Sequence, residues 1–221
     1  MTKRKFINEF DLDAPTLPKE DRSEFRYQTR SVTSLYERCL TKKLQLGTAW
    51  KVLVEVVPLV NFAHHRNLLG VLVIQIEDEA SRLLLTQEEG KAELVLEWLT
   101  QGLFKLSDEV GIDKTIFSDT ADAVRAMDFR NIREWIKPRR SPDGFLKADI
   151  IVDHRALEAR IIGRILSRDG SIISEQILAT SKPDEFIFAP MMGSLHWVDE
   201  KVVELRSKDG LSSRRFGFAS A

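Results

Sequence analysis

The stretch TQEEGKAELVLEWLTQGLFKLSDEVG, residues 86–111, constrains this chain more than any other. Ala92, Val95, Leu96, Leu99, Leu103, Leu106 and Val110 recur at steps of three or four, which puts them on one side of a helix. Leu94 and Trp98 add a second apolar ridge, giving a stripe wider than a coiled-coil seam and suited to packing on a sheet. Thr86 and Glu89 have the spacing of a capping box, and Glu88 and Glu89 lie at the positive end of the helix dipole. Gly111 can take the left-handed conformation that closes a helix. Gly90 and Gly102 each cost up to about 1 kcal/mol relative to Ala, and are places where another backbone can come close.

Around this helix the pattern changes twice. Before it, KFINEFDL (residues 5–12) alternates like a strand, and residues 13–23, with two prolines and five charges, read as a surface loop. Residues 31–43 read as a short helix capped by Ser31, with Val32, Leu35, Tyr36, Cys39 and Leu40 inward. TAWKVLVEVV (residues 48–57) is a strand bounded by Pro58. LLGVLVIQIE (residues 68–77) is a second strand, apolar on both faces and therefore central. After Gly111 a short helix is expected over residues 121–129, capped by Asp119, and one more helical turn over residues 132–136. KPRRSPDG then breaks the chain.

From Phe145 onward the period is that of strands. Arg168-Asp169-Gly170-Ser171 suits a two-residue type I′ hairpin, which would pair Ile162 with Ile177, Arg164 with Glu175 and Leu166 with Ile173. Asp209-Gly210 repeats the device and would set Glu204 opposite Arg215. HWVDEKVVELRS reads as one further strand. The expected fold is therefore α+β: a mostly antiparallel sheet, a central amphipathic helix over about residues 86–111, and a C-terminal β-meander. A single domain over residues 1–221 is favoured, because the central strand and helix need further surface to cover them. The alternative is a division near residues 138–146, into a β-α part (1–137) and a meander (147–221).

Composition excludes little. A chain with 43% apolar and 30% charged residues is of ordinary globular make-up, and its 33 basic and 34 acidic residues give no global pull toward nucleic acid or lipid. A lone cysteine, Cys39, cannot form an internal bridge, which suits a reducing compartment. The basic start, TKRKFINEF, has no apolar signal core behind it, and the most apolar run, Val52 to Val60, is too short for a membrane span. The expected location is cytoplasmic, with no membrane partner.

Phosphate-binding glycine loops, the G-x-S-x-G elbow, H-E-x-x-H and zinc-type cysteine pairs are all missing. His64 and His65 sit together in a loop; His154 follows Asp153, and His196 adjoins Trp197 and reads as partly buried. None of them makes a metal site by its spacing. Pro183-Asp184 followed by Asp199-Glu200-Lys201 resembles the PD-(D/E)-x-K pattern of metal-dependent nucleases. That resemblance implies that Asp184 and Asp199 hold Mg²⁺ and that Lys201, on the same strand face, helps activate water. The helix that usually covers such a pair is missing from residues 202–217, which read as a hairpin.

Arg139-Arg140, and Arg214-Arg215 with Phe216 and Phe218, are the candidate nucleic-acid patches. Glu77-Asp78-Glu79 is an acidic turn able to meet a basic partner protein. The first expectation is a non-catalytic cytosolic module that binds another protein, of which a bacterial toxin-neutralising immunity protein is one form, with no cofactor. The alternatives are a Mg²⁺-dependent nuclease and a nucleic-acid-binding protein.

Overall fold

A computed structural model describes residues 6–218. The basic residues 2–5, and with them the start of the strand expected at 5–12, lie outside the described residues. The fold is α+β with mostly antiparallel sheets. The chain forms two compact units that divide between Arg130 and Asn131.

The first unit contains β1 (Glu9–Asp13), α1 (Lys19–Cys39), β2 (Lys51–Val57), β3 (Arg66–Leu68), β4 (Val71–Glu77), α2 (Ser81–Leu85), α3 (Glu88–Val110) and α4 (Thr115–Ala126). Its sheet has the order β1-β2-β4-β3, with β1, β2 and β4 parallel and only β3 antiparallel. Phe10 and Leu12 of β1, Val52, Val54 and Val56 of β2, and Leu72, Ile74 and Ile76 of β4 turn to one face. There they share a core with Val32, Leu35 and Tyr36 of α1 and with Val95, Leu99, Leu103 and Leu106 of α3. The apolar stripe read from residues 86–111 is thus consumed by this core. At Gly102 α3 lies close against the sheet: a Cβ there would stand 2.5 Å from a Val54 methyl.

Three local expectations are corrected. Thr86 does not cap α3; its hydroxyl donates back to the carbonyl of Arg82, near the start of α2, and Gln87 takes the N-cap position without a side-chain bond. Residues 13–23 are not all loop, because α1 begins at Lys19, directly after Pro18 in the N-cap position. There the proline blocks no helical bond. The helix after Gly111 starts at Thr115, and Gly111 itself closes α3 with φ 73°.

The second unit is a seven-stranded antiparallel arrangement in two sheets. One is β5 (Asn131–Arg140), β6 (Lys147–His154), β7 (Ala159–Leu166) and β8 (Ile172–Ser181), in that order. The other is β11 (Ser213–Gly217), β10 (Val202–Arg206) and β9 (Ser194–Trp197). Between the sheets, α5 (Glu185–Phe188) and a 3-10 turn (Ala189–Met191) carry the chain from β8 to β9. The inner faces share one core: Ala148, Ile150, Val152, Ile161 and Ile165 from the first sheet, and Leu195, Val203, Leu205 and Phe216 from the second, with Phe188 and Met192. Two seams join the sheet edges. At one, the Ser174 hydroxyl of β8 donates to the Gly217 carbonyl of β11 (3.0 Å). At the other, the Trp197 indole N–H of β9 donates to the Arg139 carbonyl of β5 (3.0 Å).

Residues 132–136 are strand, not a helical turn. Register shifts around Trp135 and again before Arg139 break the alternation that would have revealed β5. KPRRSPDG is the end of that strand and its turn into β6, inside the second unit. The expected strand over HWVDEKVVELRS is divided by a turn at residues 198–201.

One turn design appears three times. Ser141-Pro142-Asp143-Gly144, Ser167-Arg168-Asp169-Gly170 and Ser207-Lys208-Asp209-Gly210 each join two antiparallel strands. In each, the serine hydroxyl donates to the aspartate, and the aspartate accepts the amide two residues on, from Phe145, Ser171 or Leu211. In each, the glycine amide returns to the serine carbonyl and the glycine has positive φ. The serine bonds, then the amide bonds, hold Asp143, Asp169 and Asp209 below the usual carboxylate range. Asp169 is not among the residues with positive φ, so the turn is not type I′. Ile162–Ile177 and Arg164–Glu175 pair as expected, but Leu166 meets Ile172, not Ile173, through a register shift. Glu204 faces Arg215 as expected.

Candidate functional site

The site that gathers the most unspent chemistry lies at the β5–β9 seam. A groove of ≈ 440 Å³ is lined by Ile136, Arg139, Arg140 and Pro142 on one side and by residues 193–197 on the other. Its volume is within the range of about 300–1,000 Å³ typical of binding clefts. Both walls are sheet edges, since β5 has only β6 beside it and β9 only β10.

The two walls differ. Val198 donates to Val202 across the β9–β10 turn, and in an antiparallel pair such inward bonds fall on alternate residues. Ser194 and His196 therefore turn their backbone groups to β10, while Leu195 and Trp197 turn theirs to the groove. On the β5 wall, Pro138 has no amide to offer and the bulges interrupt the ladder. What β5 presents is side chains. Arg139 and Arg140 are exposed, and among the described residues no carboxylate lies within ion-pairing distance of either. The Trp197 ring is half-buried and pinned by its bond to Arg139. His196 is exposed, not partly buried as its place in the sequence suggests, and its Nε2 lies 2.9 Å from the Ser194 hydroxyl.

Arg214 and Arg215 do not join this basic wall. They lie on β11, at the far edge of the sheet from β9, and as strand neighbours project to opposite faces. Arg215 is held by Glu204 (3.2 Å), which also takes Arg206 (2.7 Å). These two arginines, Arg206 before Arg215, keep the Glu204 carboxyl below its usual range.

Asp184, Asp199 and Lys201 are not brought together. Asp184 caps α5 by accepting the Phe186 amide (2.7 Å). It lies at the end of the unit where β6 finishes, because His154 of β6 bonds through Nε2 to the Pro183 carbonyl (3.0 Å). Asp199 follows Trp197, which bonds at the end of β5, and β5 and β6 are antiparallel, so the two carboxylates lie toward opposite ends. Asp199 accepts the amides of Lys201 and Val202 (2.7 and 2.8 Å), which puts Lys201 in a turn and not on a strand beside it. Among the described residues no group of three or more His, Cys, Asp or Glu is placed to hold a metal ion.

In the first unit, the acidic turn is partly spent. Asp78 accepts from Arg82 (2.5 and 2.7 Å) and from the Trp98 indole (2.8 Å), which outweigh the upward push of burial and hold its carboxyl low. Glu77 and Glu79 remain exposed. His65 is tied to Glu109 by its amide (2.7 Å) and by Nδ1 (2.6 Å), with His64 4.0 Å from the same carboxylate. The most buried ion-paired carboxylate of this unit is Asp13, whose side chain is 3% exposed and is gripped by Arg22 and Arg26 (2.5 and 2.6 Å). Asp13, Glu55 and Gln75 form one polar row across β1, β2 and β4, on the face opposite Leu12, Val54 and Ile74, and Arg22 and Arg26 reach it from α1.

Among the described residues no helix is long and apolar enough to cross a membrane. The chain matches no protein-family description, no curated protein sequence and no solved structure.

Proposed function

We propose that this chain is a non-catalytic protein-binding module and that the groove between β5 and β9 is its docking site. The observation that carries this reading is the pairing of a strand edge, with the Leu195 and Trp197 backbone groups turned outward, and two arginines that no carboxylate answers among the described residues. A strand edge is a ready template for another chain. A cytoplasmic setting, and a partner of the toxin class for a toxin-neutralising immunity role, belong to the same proposal; the lone Cys39 supports the former.

Nucleic-acid binding is the second reading, favoured by arginines beside Trp197 in one groove. The ion pairs of Arg215 with Glu204, which break up any continuous basic face, weigh against it. Photo-crosslinking separates the two. A benzophenone amino acid placed at Pro142 or at His196 is expected to give a protein adduct in native cytosol, whereas one placed at the exposed Leu211 gives none. Adducts that vanish on nuclease treatment, or the absence of adducts at the groove positions, would overturn the protein-binding reading.

A further inference from the structure

We infer that the groove takes an extended acidic peptide segment, added as a strand to the free edge of β9; this rests on the protein-binding reading above. Three observations fix the occupant. First, Leu195 and Trp197 present backbone groups two residues apart, which is the repeat of a β ladder, and a strand partner satisfies them in sequence. The β5 wall cannot supply such a ladder, because Pro138 and the bulges interrupt it. Second, alternate side chains of an added strand project to opposite sides. On the inner side they meet Leu195, the half-buried Trp197 ring and Ile136, which take an apolar residue. Third, Arg139 and Arg140 project to opposite sides as neighbours on β5; Arg140, paired with Lys147 and not with the core residue Ala148, projects to the outer side, where the two acidic side chains flanking the apolar one also point.

Three carboxylates of this unit are already occupied: Glu204 by Arg206 and Arg215, and Asp199 and Asp143 by the amides of their own turns. The partner supplies the missing charge. The recognised pattern is therefore an apolar residue between acidic ones, in an extended conformation, and the same pattern with lysine in place of the acids is rejected.

The test is panning of a random dodecapeptide library on the full chain and on an R139E/R140E variant. Both positions are exposed, and circular dichroism is used to check that the variant is folded. The native chain is expected to enrich peptides with acidic residues on either side of an apolar one. Charge reversal is expected to weaken those peptides by about tenfold or more and to enrich basic ones instead. The same peptides enriched by both chains, or peptides without acidic residues, would overturn the inference. So would an oligothymidylate that displaces the selected peptides and binds more tightly than they do. If groove crosslinks to protein persist while acidic selection fails, only this inference falls; if groove crosslinks are missing, the docking reading falls with it.

Discussion

Gly102 of α3 lies so close to Val54 of β2 that an added Cβ would stand 2.5 and 2.6 Å from the two Val54 methyls. Val54 is fully buried and β-branched, so it cannot swing away. Gly102→Ala gains about 1 kcal/mol of helix propensity. Forcing the helix off the sheet costs more, and a net loss of about 1–2 kcal/mol is expected. Urea unfolding followed by tryptophan fluorescence measures it. Unchanged or raised stability would mean that the helix–sheet spacing is looser than described.

Asp13 sets an acid limit on the first unit. Burial pushes its carboxyl up, but the bonds from Arg22 and Arg26 more than offset this and leave it at about 2, below its ordinary 3.8. Because the folded value is the lower one, the stabilisation is fully present above pH 4. It is lost as pH falls through 4 toward 2. It amounts to about 2 kcal/mol. Asp13→Asn removes it at neutral pH and flattens the acid limb of the stability–pH curve between pH 4 and 2. An acid limb of unchanged slope in the variant would count against the account.

The three Ser-x-Asp-Gly turns depend on their last residue. Gly144, Gly170 and Gly210 have φ of 78°, 96° and 73°. No heavy atom would crowd a Cβ at any of them, so the cost of Gly→Ala is backbone strain alone. Each substitution is expected to cost about 1 kcal/mol. Among the described residues the three turns share no hydrogen bond with one another, and the losses should add when combined. Chemical denaturation of the three single variants and the triple variant checks both points.

Trp197→Phe keeps a ring in the groove but deletes the donor to the Arg139 carbonyl. A stability loss of about 1 kcal/mol is expected. Affinity for acidic peptides should fall as well, because the β5 wall is no longer tied to β9. Loss of stability with peptide affinity untouched would remove Trp197 from the site.

Much of this fold was legible because its periods are clean. The stripe of residues 86–111, the strands at Lys51–Val57 and Val71–Glu77, and the Glu204–Arg215 pairing all follow from spacing and charge. The failures have physical causes. In β5 the bulges shift residues between faces, so Ile132 and Ile136 mimic helical spacing. In α1 a proline stands just before the first turn, where it is tolerated but reads as a breaker. In the Asp169 turn the aspartate uses its carboxylate on Ser167 and Ser171 and has no need of positive φ, which moves the register by one at Leu166.

The site was half legible. Arg139 and Arg140 stand out as a basic pair, but the wall opposite them comes from residues 193–197, more than fifty positions on in the sequence. Only the closing of two sheets edge to edge brings them together. The short alternation Ser194-Leu195-His196-Trp197 is the available signal, but the strand read over HWVDEKVVELRS overlaps it from His196 on, because the turn at residues 198–201 contains no glycine or proline. The nuclease-like spacing of Asp184, Asp199 and Lys201 misleads, since Asp199 reads equally well as a strand residue and as the acceptor that closes a turn.

The most direct measurement is hydrogen–deuterium exchange of the full chain with and without a saturating synthetic peptide of alternating glutamate and valine. Slowed exchange is expected at the amides of Leu195 and Trp197, with no change at the turn of residues 207–210. Protection confined to other strands, or none at Leu195 and Trp197 while the peptide is bound, would contradict strand addition at β9.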